Sequence, residues 1–175
     1  MDRDGVINQE SAAYIKSPEE WIPIPGSLEA IARLNKAGFV VVIASNQSGV
    51  GRGLFGLRML EAIHARMESA LAAVGGHLDG IFFCPHKPED DCDCRKPKPG
   101  LLKQIAERFH TGLDGVPFIG DSPRDIAVAR AVGARPILVR TGDGERTLRQ
   151  MPETVGVEVY ADLAEAASKL INEIH

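Results

Sequence analysis

The hydrophobic positions of this chain fall into two alternating patterns, short β-branched runs and longer amphipathic segments. The run GFVVVIAS at residues 38–45 is continuously apolar, which is typical of a buried strand in a parallel sheet. Before it, SLEAIARLNKAG carries Leu28 and Ile31 at helical spacing, with Ser27 as the predicted N-cap and Gly38 as the predicted stop. The two patterns therefore predict a helix followed by a strand.

The same alternation continues along the rest of the chain. An amphipathic pattern covers Leu54 to Val74 and ends at a pair of glycines. Further strands are predicted at residues 79–84, 116–121 and 136–142, further helices at 100–110 and 122–134, and a short edge strand with a closing helix at 157–174. Strands separated by helices predict an α/β fold with a doubly wound parallel sheet, in one domain over residues 1–175.

Polar and glycine-rich segments follow the predicted strands. They are SNQSG, CPHKPEDDCDCRKPKPG, GDSPRD and RTGDGER in chain order. In doubly wound sheets, ligands bind outside the carboxyl ends of the strands, which is where these segments lie. The sequence therefore predicts a ligand site that is built from them.

The first residues, MDRDGVIN, carry the acidic and glycine residues that typically follow a strand in this type of fold. Only Met1 precedes Asp2, however. We expect a short apolar run before Asp2, so a start placed too late is the preferred explanation. The alternative is a domain that lacks its first inner strand, which would leave unpaired backbone groups and a gap in the core.

Composition and charge narrow the class of protein. The chain is 44% hydrophobic and 25% charged, as in ordinary globular proteins, and its net charge of -4 gives no sign of a surface for nucleic acid. No apolar run approaches the ~20 residues that span a bilayer, and the polar start is unlike a signal peptide. We therefore expect a cytoplasmic protein without a membrane partner.

Two aspartates near the start, Asp2 and Asp4, offer phosphoryl-transfer chemistry. A carboxylate is a good nucleophile toward phosphorus when a cation screens the phosphate charge, and a second carboxylate can protonate the leaving oxygen. Two nearby carboxylates also tend to separate their pKa values, which suits one nucleophile and one acid. The alternative is a charged, frayed chain end.

Three downstream segments supply matching groups. Asp121, at the end of a predicted strand, suits a Mg²⁺ ligand that faces Asp2, and the alternative is helix capping by Asp121 or Ser122. Ser45 offers a hydroxyl to a phosphate, and the alternative is an ordinary polar turn. Lys96, in RKPKPG, can neutralise developing charge, and the alternative is a solvated basic turn.

All three cysteines of the chain lie within eleven positions of one another. An odd and clustered set argues against a disulfide framework. Together with one histidine, they supply four ligands of the type that binds tetrahedral Zn²⁺, namely Cys84, His86, Cys92 and Cys94. The sequence predicts a closed, structural zinc site, and the alternative is a cluster of free thiols with an incidental histidine.

These motifs occur in a fixed order, which resembles that of the haloacid dehalogenase superfamily of aspartate-nucleophile phosphatases. DRDGVIN, SNQSGVGRG, CPHKPEDDCDCRKPKPG and GDS are similar to the zinc-containing branch of that superfamily. The resemblance covers essentially the whole chain, and it implies a Rossmann-like core. No large insertion separates the motifs, so we expect no cap domain. The segment YIKSPEEWIPIPG, with Trp21, is a candidate flap, unless it simply packs against the sheet edge.

The resemblance implies a role for each matching residue. Asp2 would be the nucleophile and Asp4 the general acid and base. Mg²⁺ would be held by Asp2, by the backbone carbonyl of Asp4 and by Asp121, while Ser45 and Lys96 would stabilise the transferring phosphoryl group. The residues implied to contact the substrate are Glu10, Ser11, Ala12, Ala13, Asn46, Gln47, Ser48, Arg52, Arg95 and Ser122.

The branch includes phosphatases of D-glycero-D-manno-heptose 1,7-bisphosphate and of histidinol phosphate. Ser48 supplies no negative charge for the histidinol amine, and Arg52 suits a second phosphate, so we favour the heptose bisphosphate. That substrate would place the chain in lipopolysaccharide precursor synthesis, acting on a small phosphorylated sugar and as a monomer. A third alternative is an inactive, zinc-stabilised binding module, if the chain starts at Met1 and leaves Asp2 frayed.

Overall fold

The structure is a computed structural model that describes residues 1–151 and 156–174. Within these ranges, the strands are β1 (Val42–Asn46), β2 (Gly80–Cys84), β3 (Pro117–Gly120), β4 (Arg135–Val139) and β5 (Glu158–Tyr160). The helices are α1 (Ser27–Lys36), α2 (Ser48–Gly51), α3 (Leu57–Ala73), α4 (Gly100–Phe109), α5 (Pro123–Ala131), α6 (Gly144–Gln150) and α7 (Leu163–Glu173). Short 3-10 helices form at Pro18–Glu20 and Pro88–Asp90.

The strands form two parallel ladders that the first residues of the chain join. β1 pairs with β2, and β4 lies between β3 and β5. The amino group of Met1 donates to the carbonyl of Val42 at 2.8 Å, and the N–H of Ala44 donates to the carbonyl of Met1 at 2.9 Å. On the other side, the N–H of Asp2 donates to the carbonyl of Ile119 at 2.9 Å. The chain start therefore lies between β1 and β3, and the predicted parallel α/β fold is confirmed.

An apolar cavity of about 380 Å³ lies beside Met1, between β1 and β3. Val42 and Ile119 border it from the two strands, and Phe109 and Leu170 border it from α4 and α7. This is the position at which the sequence predicts an inner strand before Asp2.

The helices cover both faces of the sheet because each presents one apolar side. α1 packs against α3 and α7, and the core that they form with the sheet includes Ile31, Ile63 and Leu170. α4 and α5 pack on the other side, where Leu102 and Val128 belong to a second core. The result is a three-layer arrangement that exposes the carboxyl ends of the strands.

Several local predictions needed correction. Ser27 is the first residue of α1 rather than its N-cap, because its hydroxyl donates to the carbonyl of Ile7 at 2.6 Å. Gly38 has a φ of 89° just beyond α1, as predicted for a helix stop. The flap interpretation of Trp21 is wrong, since that side chain is 1% exposed and lies in the core.

Two helices, α2 and α6, were not predicted, because both arise from glycine-rich polar segments. α6 begins within RTGDGER, which the sequence analysis treated as a loop. In the described part of the chain, no helix is both long and apolar enough to cross a bilayer. Those residues also contain no cap domain over the sheet.

Candidate active site

Asp2 lies where the two ladders meet, and its side chain points to the carboxyl ends of the strands. Its Oδ1 accepts from the N–H of Arg3 at 2.8 Å and lies 3.0 Å from the ammonium of Lys96. Burial raises the pKa of Asp2 to about 6, although the charge of Lys96 opposes the shift. Asp2 is therefore fixed by its backbone and by its side chain, rather than frayed.

Lys96 is the cation at the centre of this site. Its side chain is 2% exposed, and its Nζ lies 2.7 Å from Oδ1 of Asp125. Asn46 holds the Lys96 backbone on both sides, accepting from its N–H at 2.9 Å and donating to its carbonyl at 3.0 Å. Burial opposes the charge of Lys96, but Asp125 and Asp2 outweigh it and raise its pKa. Asn46 borders a small polar cavity that it shares with Asp2 and Lys96, yet its amide serves mainly to position Lys96.

Asp4 is surrounded by donors. Its Oδ1 accepts from Nε and Nη2 of Arg3 at 3.0 and 2.9 Å and from Asn8 at 2.9 Å. Its Oδ2 accepts from the amide of Gln47 at 3.0 Å. Burial alone would raise the pKa of Asp4, but the charge of Arg3 and these hydrogen bonds outweigh it, so the pKa is lowered. Asp4 is therefore ionised and oriented before any substrate binds.

Asp121 faces Asp2, as predicted. Carboxylate oxygens of Asp2, Asp121 and Asp125 all lie within 4.8 Å of one another. Burial and the nearby charges of Asp2 and Asp125 raise the pKa of Asp121 to about 9. Gly5, with a φ of 78°, lies against this carboxylate, and a Cβ at that position would overlap it. Among the described residues, Lys96 is the one cation that forms ion pairs with this cluster, through Asp2 and Asp125, so the cluster has an excess of negative charge.

The donor set fits a hard divalent cation. Among the described residues, hydrogen bonds engage only Oδ1 of Asp2 and only Oδ2 of Asp121, so one oxygen of each carboxylate stays free of them. Both oxygens of Asp125 are used, by Lys96 and by the start of α5. Mg²⁺ prefers oxygen ligands and keeps several waters, so Asp2 and Asp121 with a carbonyl suffice. The carbonyl of Asp4 as third ligand stays a prediction.

Ser122 and Asp125 show that the capping alternative also holds. The hydroxyl of Ser122 donates to Oδ2 of Asp125 at 2.7 Å, and the pair forms a capping box at the start of α5. Ser122 borders the catalytic cavity at the same time. One segment therefore begins the helix and builds the site.

The four predicted zinc ligands converge. The sulfurs of Cys84 and Cys92 lie 3.5 Å apart, and Nδ1 of His86 lies 3.3 Å from the sulfur of Cys94. All four ligand atoms lie within 4.8 Å of one another, which fits a tetrahedral Cys₃His site for Zn²⁺. Burial and the neighbouring thiols raise the pKa of Cys84, which disfavours its thiolate. A bound cation would stabilise the thiolate and lower this pKa.

Two cavities open at this end of the sheet. The smaller, about 70 Å³, is bordered by Asp2, Asp4, Lys96, Asp121 and Asp125 together with Glu10, Asn46, Ser122 and Arg124. The larger, about 550 Å³, is bordered by Glu10 and Ala12 among the predicted substrate residues and also by Asp143 and Arg146. Glu10 belongs to both, so the two cavities are neighbours.

Other predicted site residues do not border these two cavities. Ser45 is buried, and its hydroxyl accepts from the amide of Gln47 at 2.7 Å. Because Gln47 also donates to Asp4, its amide orients site residues. Ser11, Ala13, Ser48, Arg52 and Arg95 are absent from the residues that border the two cavities.

Three contributions to the site were missed by the sequence analysis. Asp125 received no role from the sequence, although its spacing of four from Asp121 allows both to face one site. Arg124 borders the smaller cavity from the start of α5. The N–H of Asp143, just before α6, donates to Asp121 at 2.8 Å, and no sequence pattern indicated this long-range contact.

Comparisons with known proteins agree with this geometry. Residues 93–166 match the HAD-hydrolase-like family model. The D-glycero-β-D-manno-heptose-1,7-bisphosphate 7-phosphatase of Pseudomonas putida is 56% identical over 172 residues, covering 98% of this chain and 97% of that protein. The enzyme of the same name from Bordetella bronchiseptica is 53% identical over 173 residues, covering 99% of this chain and 97% of that protein.

A crystal structure of the Bordetella bronchiseptica D,D-heptose 1,7-bisphosphate phosphatase, complexed with magnesium and phosphate, superposes with a TM-score of 0.96. The match has 53% identity and covers 98% of this chain and 96% of that one. On this evidence, the chain is a phosphoric monoester hydrolase that belongs to the D-glycero-β-D-manno-heptose-1,7-bisphosphate 7-phosphatase family of the haloacid dehalogenase superfamily.

Proposed function

We propose that this chain removes the 7-phosphate of D-glycero-D-manno-heptose 1,7-bisphosphate through an aspartyl-phosphate on Asp2. The observation that carries the proposal is the position of Asp2. One of its oxygens is held by Lys96 and by the chain itself, and the other is left without a hydrogen bond from any described residue. A carboxylate fixed in this way, at a cavity that fits one phosphoryl group, is suited to attack phosphorus.

The reaction would proceed in two displacements. Oδ2 of Asp2 attacks phosphorus, the bond between phosphorus and the sugar oxygen breaks, and the leaving oxygen takes a proton from Asp4. Water then attacks the phosphorus of the aspartyl-phosphate, Asp4 accepts the proton of that water, and inorganic phosphate leaves with Asp2 restored. Ser45 and Lys96 contribute a hydroxyl and a positive charge to the transferring group.

Asp4 is ionised in the structure, so the proton that it gives to the leaving oxygen has to be gained during the cycle. Arg3 and Gln47 hold Asp4 as a carboxylate, which is the form needed to accept a proton from water. We infer that an entering phosphate weakens these contacts through its own negative charge, which raises the pKa of Asp4 and allows protonation.

Two metals would support the chemistry. Asp2, Asp121 and the carbonyl of Asp4 would hold Mg²⁺, which when bound screens the phosphate charge and stabilises the transition state. Cys84, His86, Cys92 and Cys94 would hold a structural Zn²⁺. Because Lys96 lies two residues after Cys94, a closed zinc site would fix the loop that carries the central cation.

The substrate choice depends on charge around the cavities. Arg52 and Arg95 suit a second phosphate, and Ser48 is neutral. One observation favours histidinol phosphate as a second candidate: Glu10 borders both cavities and could pair with a cationic amine. Burial and nearby carboxylates raise the pKa of Glu10 to about 7, however, so much of its charge is lost near neutral pH.

We further propose a cytoplasmic monomer that works as one domain in lipopolysaccharide precursor synthesis. The inactive binding module is disfavoured, because Asp2, Asp4, Lys96 and Asp121 are all brought together and fixed.

The test is a comparison of kcat/KM on the heptose bisphosphate and on histidinol phosphate, with Mg²⁺ and after chelation. We expect the bisphosphate to be preferred by at least roughly tenfold, a difference of about 1.4 kcal/mol in transition-state binding. A preference for histidinol phosphate would contradict our interpretation of Ser48 and Arg52. Phosphate release that survives complete removal of Mg²⁺ would contradict the metal assignment.

A further inference from the structure

The segment RTGDGER, residues 140–146, runs from the end of β4 into α6 and lies against Asp121. The N–H of Asp143 donates to Oδ2 of Asp121 at 2.8 Å. Thr147, the next residue of α6, is 1% exposed, and its hydroxyl donates to the carbonyl of Asp121 at 2.8 Å. The start of α6 therefore holds Asp121 both at its side chain and at its backbone.

Thr147 also links Asp121 to Asp143. Its N–H donates to the carbonyl of Asp143 at 2.9 Å, in the first turn of α6. With its hydroxyl on Asp121, Thr147 thus sets the direction from which the N–H of Asp143 reaches Oδ2. Because Oδ2 is held in this way, the carboxylate does not rotate freely, and Oδ1 stays the oxygen without a hydrogen bond from a described residue.

The other end of the segment holds the turn that follows Asp4. The hydroxyl of Thr141 donates to the carbonyl of Gly5 at 2.7 Å, across 136 positions of the chain. Between them and Asp121 lies Gly142, with a φ of 58°, where a Cβ would overlap Oδ2 of Asp121 and Cα of Gly5. One segment therefore contacts both peptides to which the Mg²⁺ site is assigned.

The hydroxyl of Thr147 does not serve its own helix. A threonine inside a helix commonly donates to a carbonyl one turn earlier in the same helix, whereas this one reaches across 26 positions to Asp121. Burial of a hydroxyl costs free energy unless it is hydrogen-bonded, and valine would fill the same space without that cost. The contribution of the hydroxyl therefore lies in its contact with Asp121.

We propose that Thr147 and Thr141 are positioning residues for the Mg²⁺ site, because their hydroxyls hold Asp121 and the turn after Asp4 in place before the metal binds. Loss of such a partner of a metal ligand typically weakens metal binding roughly 10- to 100-fold. The inference rests on the Mg²⁺ site of the proposed function. It gives a role to a segment that none of the motif assignments used.

The test is calorimetric titration of the full chain with Mg²⁺ alone. Thr147→Val keeps the shape of the side chain and removes the hydroxyl, so the Kd for Mg²⁺ should rise about tenfold. Thr147→Ser keeps the hydroxyl, and its Kd should stay within about threefold of that of the unmodified protein. Thr141→Val should weaken Mg²⁺ in the same direction, and it decides the matter if Thr147→Val does not fold. Zinc content should be the same in all these proteins.

Thr111→Val is the matched control. Thr111 is exposed, and its hydroxyl donates to the carbonyl of the adjacent Gly112 at 3.2 Å, so the same change there should leave the Kd for Mg²⁺ unchanged.

Two results would overturn the inference. One is Mg²⁺ binding by both valine variants at the affinity of the unmodified protein. The other is an equal loss in Thr147→Ser and Thr147→Val, which would assign the effect to packing rather than to the hydroxyl. Failure of the unmodified protein to bind Mg²⁺ would contradict the proposed function as well, so the two failures are distinguishable.

Discussion

The guanidinium of Arg3 donates two hydrogen bonds to a single oxygen of Asp4, from Nε at 3.0 Å and from Nη2 at 2.9 Å. Arg3 is completely buried, and Asp4 is 25% exposed. A buried cation thus fixes the carboxylate that we assign to acid and base chemistry. The residue between the two aspartates of the D-x-D motif positions the second of them.

Replacing Arg3 by methionine should release Asp4. We expect a loss of about 3 kcal/mol in the free energy of unfolding, because one partner of a buried ion pair is removed. The pKa of Asp4 should rise, since the charge of Arg3 is the largest effect that opposes burial, and carbon-13 NMR titration of its carboxyl measures this. Arg33→Met removes an exposed arginine that contacts Ser168 and serves as the control. An unchanged pKa of Asp4 would show that Arg3 is not its main partner.

Binding of Mg²⁺ should release protons at neutral pH. Without metal, the pKa of Asp121 is about 9 and that of Asp2 is about 6, so Asp121 holds a proton at pH 7. A cation displaces it, and we expect release of about one proton per Mg²⁺. Calorimetry in two buffers of different ionisation enthalpy gives the number directly. Asp121→Asn should bind Mg²⁺ more weakly and release fewer protons. Heats that do not depend on the buffer would contradict the clustered carboxylates.

The cysteine cluster should bind about one Zn²⁺ per chain, and its loss should reduce activity. Cys94→Ser removes one ligand two residues from Lys96, so the zinc content should fall and kcat should fall with it. Asp93→Asn changes the same loop without touching a ligand and should retain both. Normal turnover in a zinc-free Cys94→Ser protein would separate the zinc site from the position of Lys96.

His64 should make stability depend on pH below neutrality. Burial, followed by the charge of Arg3, lowers its pKa to about 4, and its ring lies 5.8 Å from that of Phe83. His64 binds a proton near pH 6.5 in the unfolded chain and near pH 4 in the folded chain. Its effect on the free energy of unfolding is therefore absent above pH 6.5, and the free energy falls as the pH drops from 6.5 to 4. The full effect is about 3 kcal/mol.

Denaturant unfolding between pH 4 and 7 measures this effect, and His64→Leu should flatten the profile. The control is His110→Asn, which removes an exposed histidine at a φ of 50° that asparagine tolerates. A profile equally steep in His64→Leu would assign the pH dependence to other groups.

Much of the site could be predicted because its residues follow strands. Ser45, Lys96 and Asp121 lie in polar segments whose position in a parallel sheet is set by topology alone. The capping box of Ser122 and Asp125 is equally local. The four predicted zinc ligands follow from residue type and spacing, and their side chains converge in the structure.

The parts of the site that could not be predicted depend on contacts between segments that are distant in the sequence. Lys96 pairs with Asp125 across 29 positions, and Asn46 holds the Lys96 backbone across 50. No pattern within one segment encodes such pairs. The prediction for Trp21 was wrong for a related reason. A proline-rich stretch with an aromatic residue is typical of an exposed rim, and the distant residues that bury Trp21 in the core are not evident from that stretch.

The central claim is that Asp2 is the nucleophile, and the most direct measurement is phosphate release from the heptose bisphosphate by the Asp2→Asn protein with Mg²⁺. We predict that turnover falls at least roughly a thousandfold while zinc content and folding stay unchanged, because the amide cannot attack phosphorus but keeps the shape of the carboxylate. Turnover close to that of the unmodified protein would contradict the account.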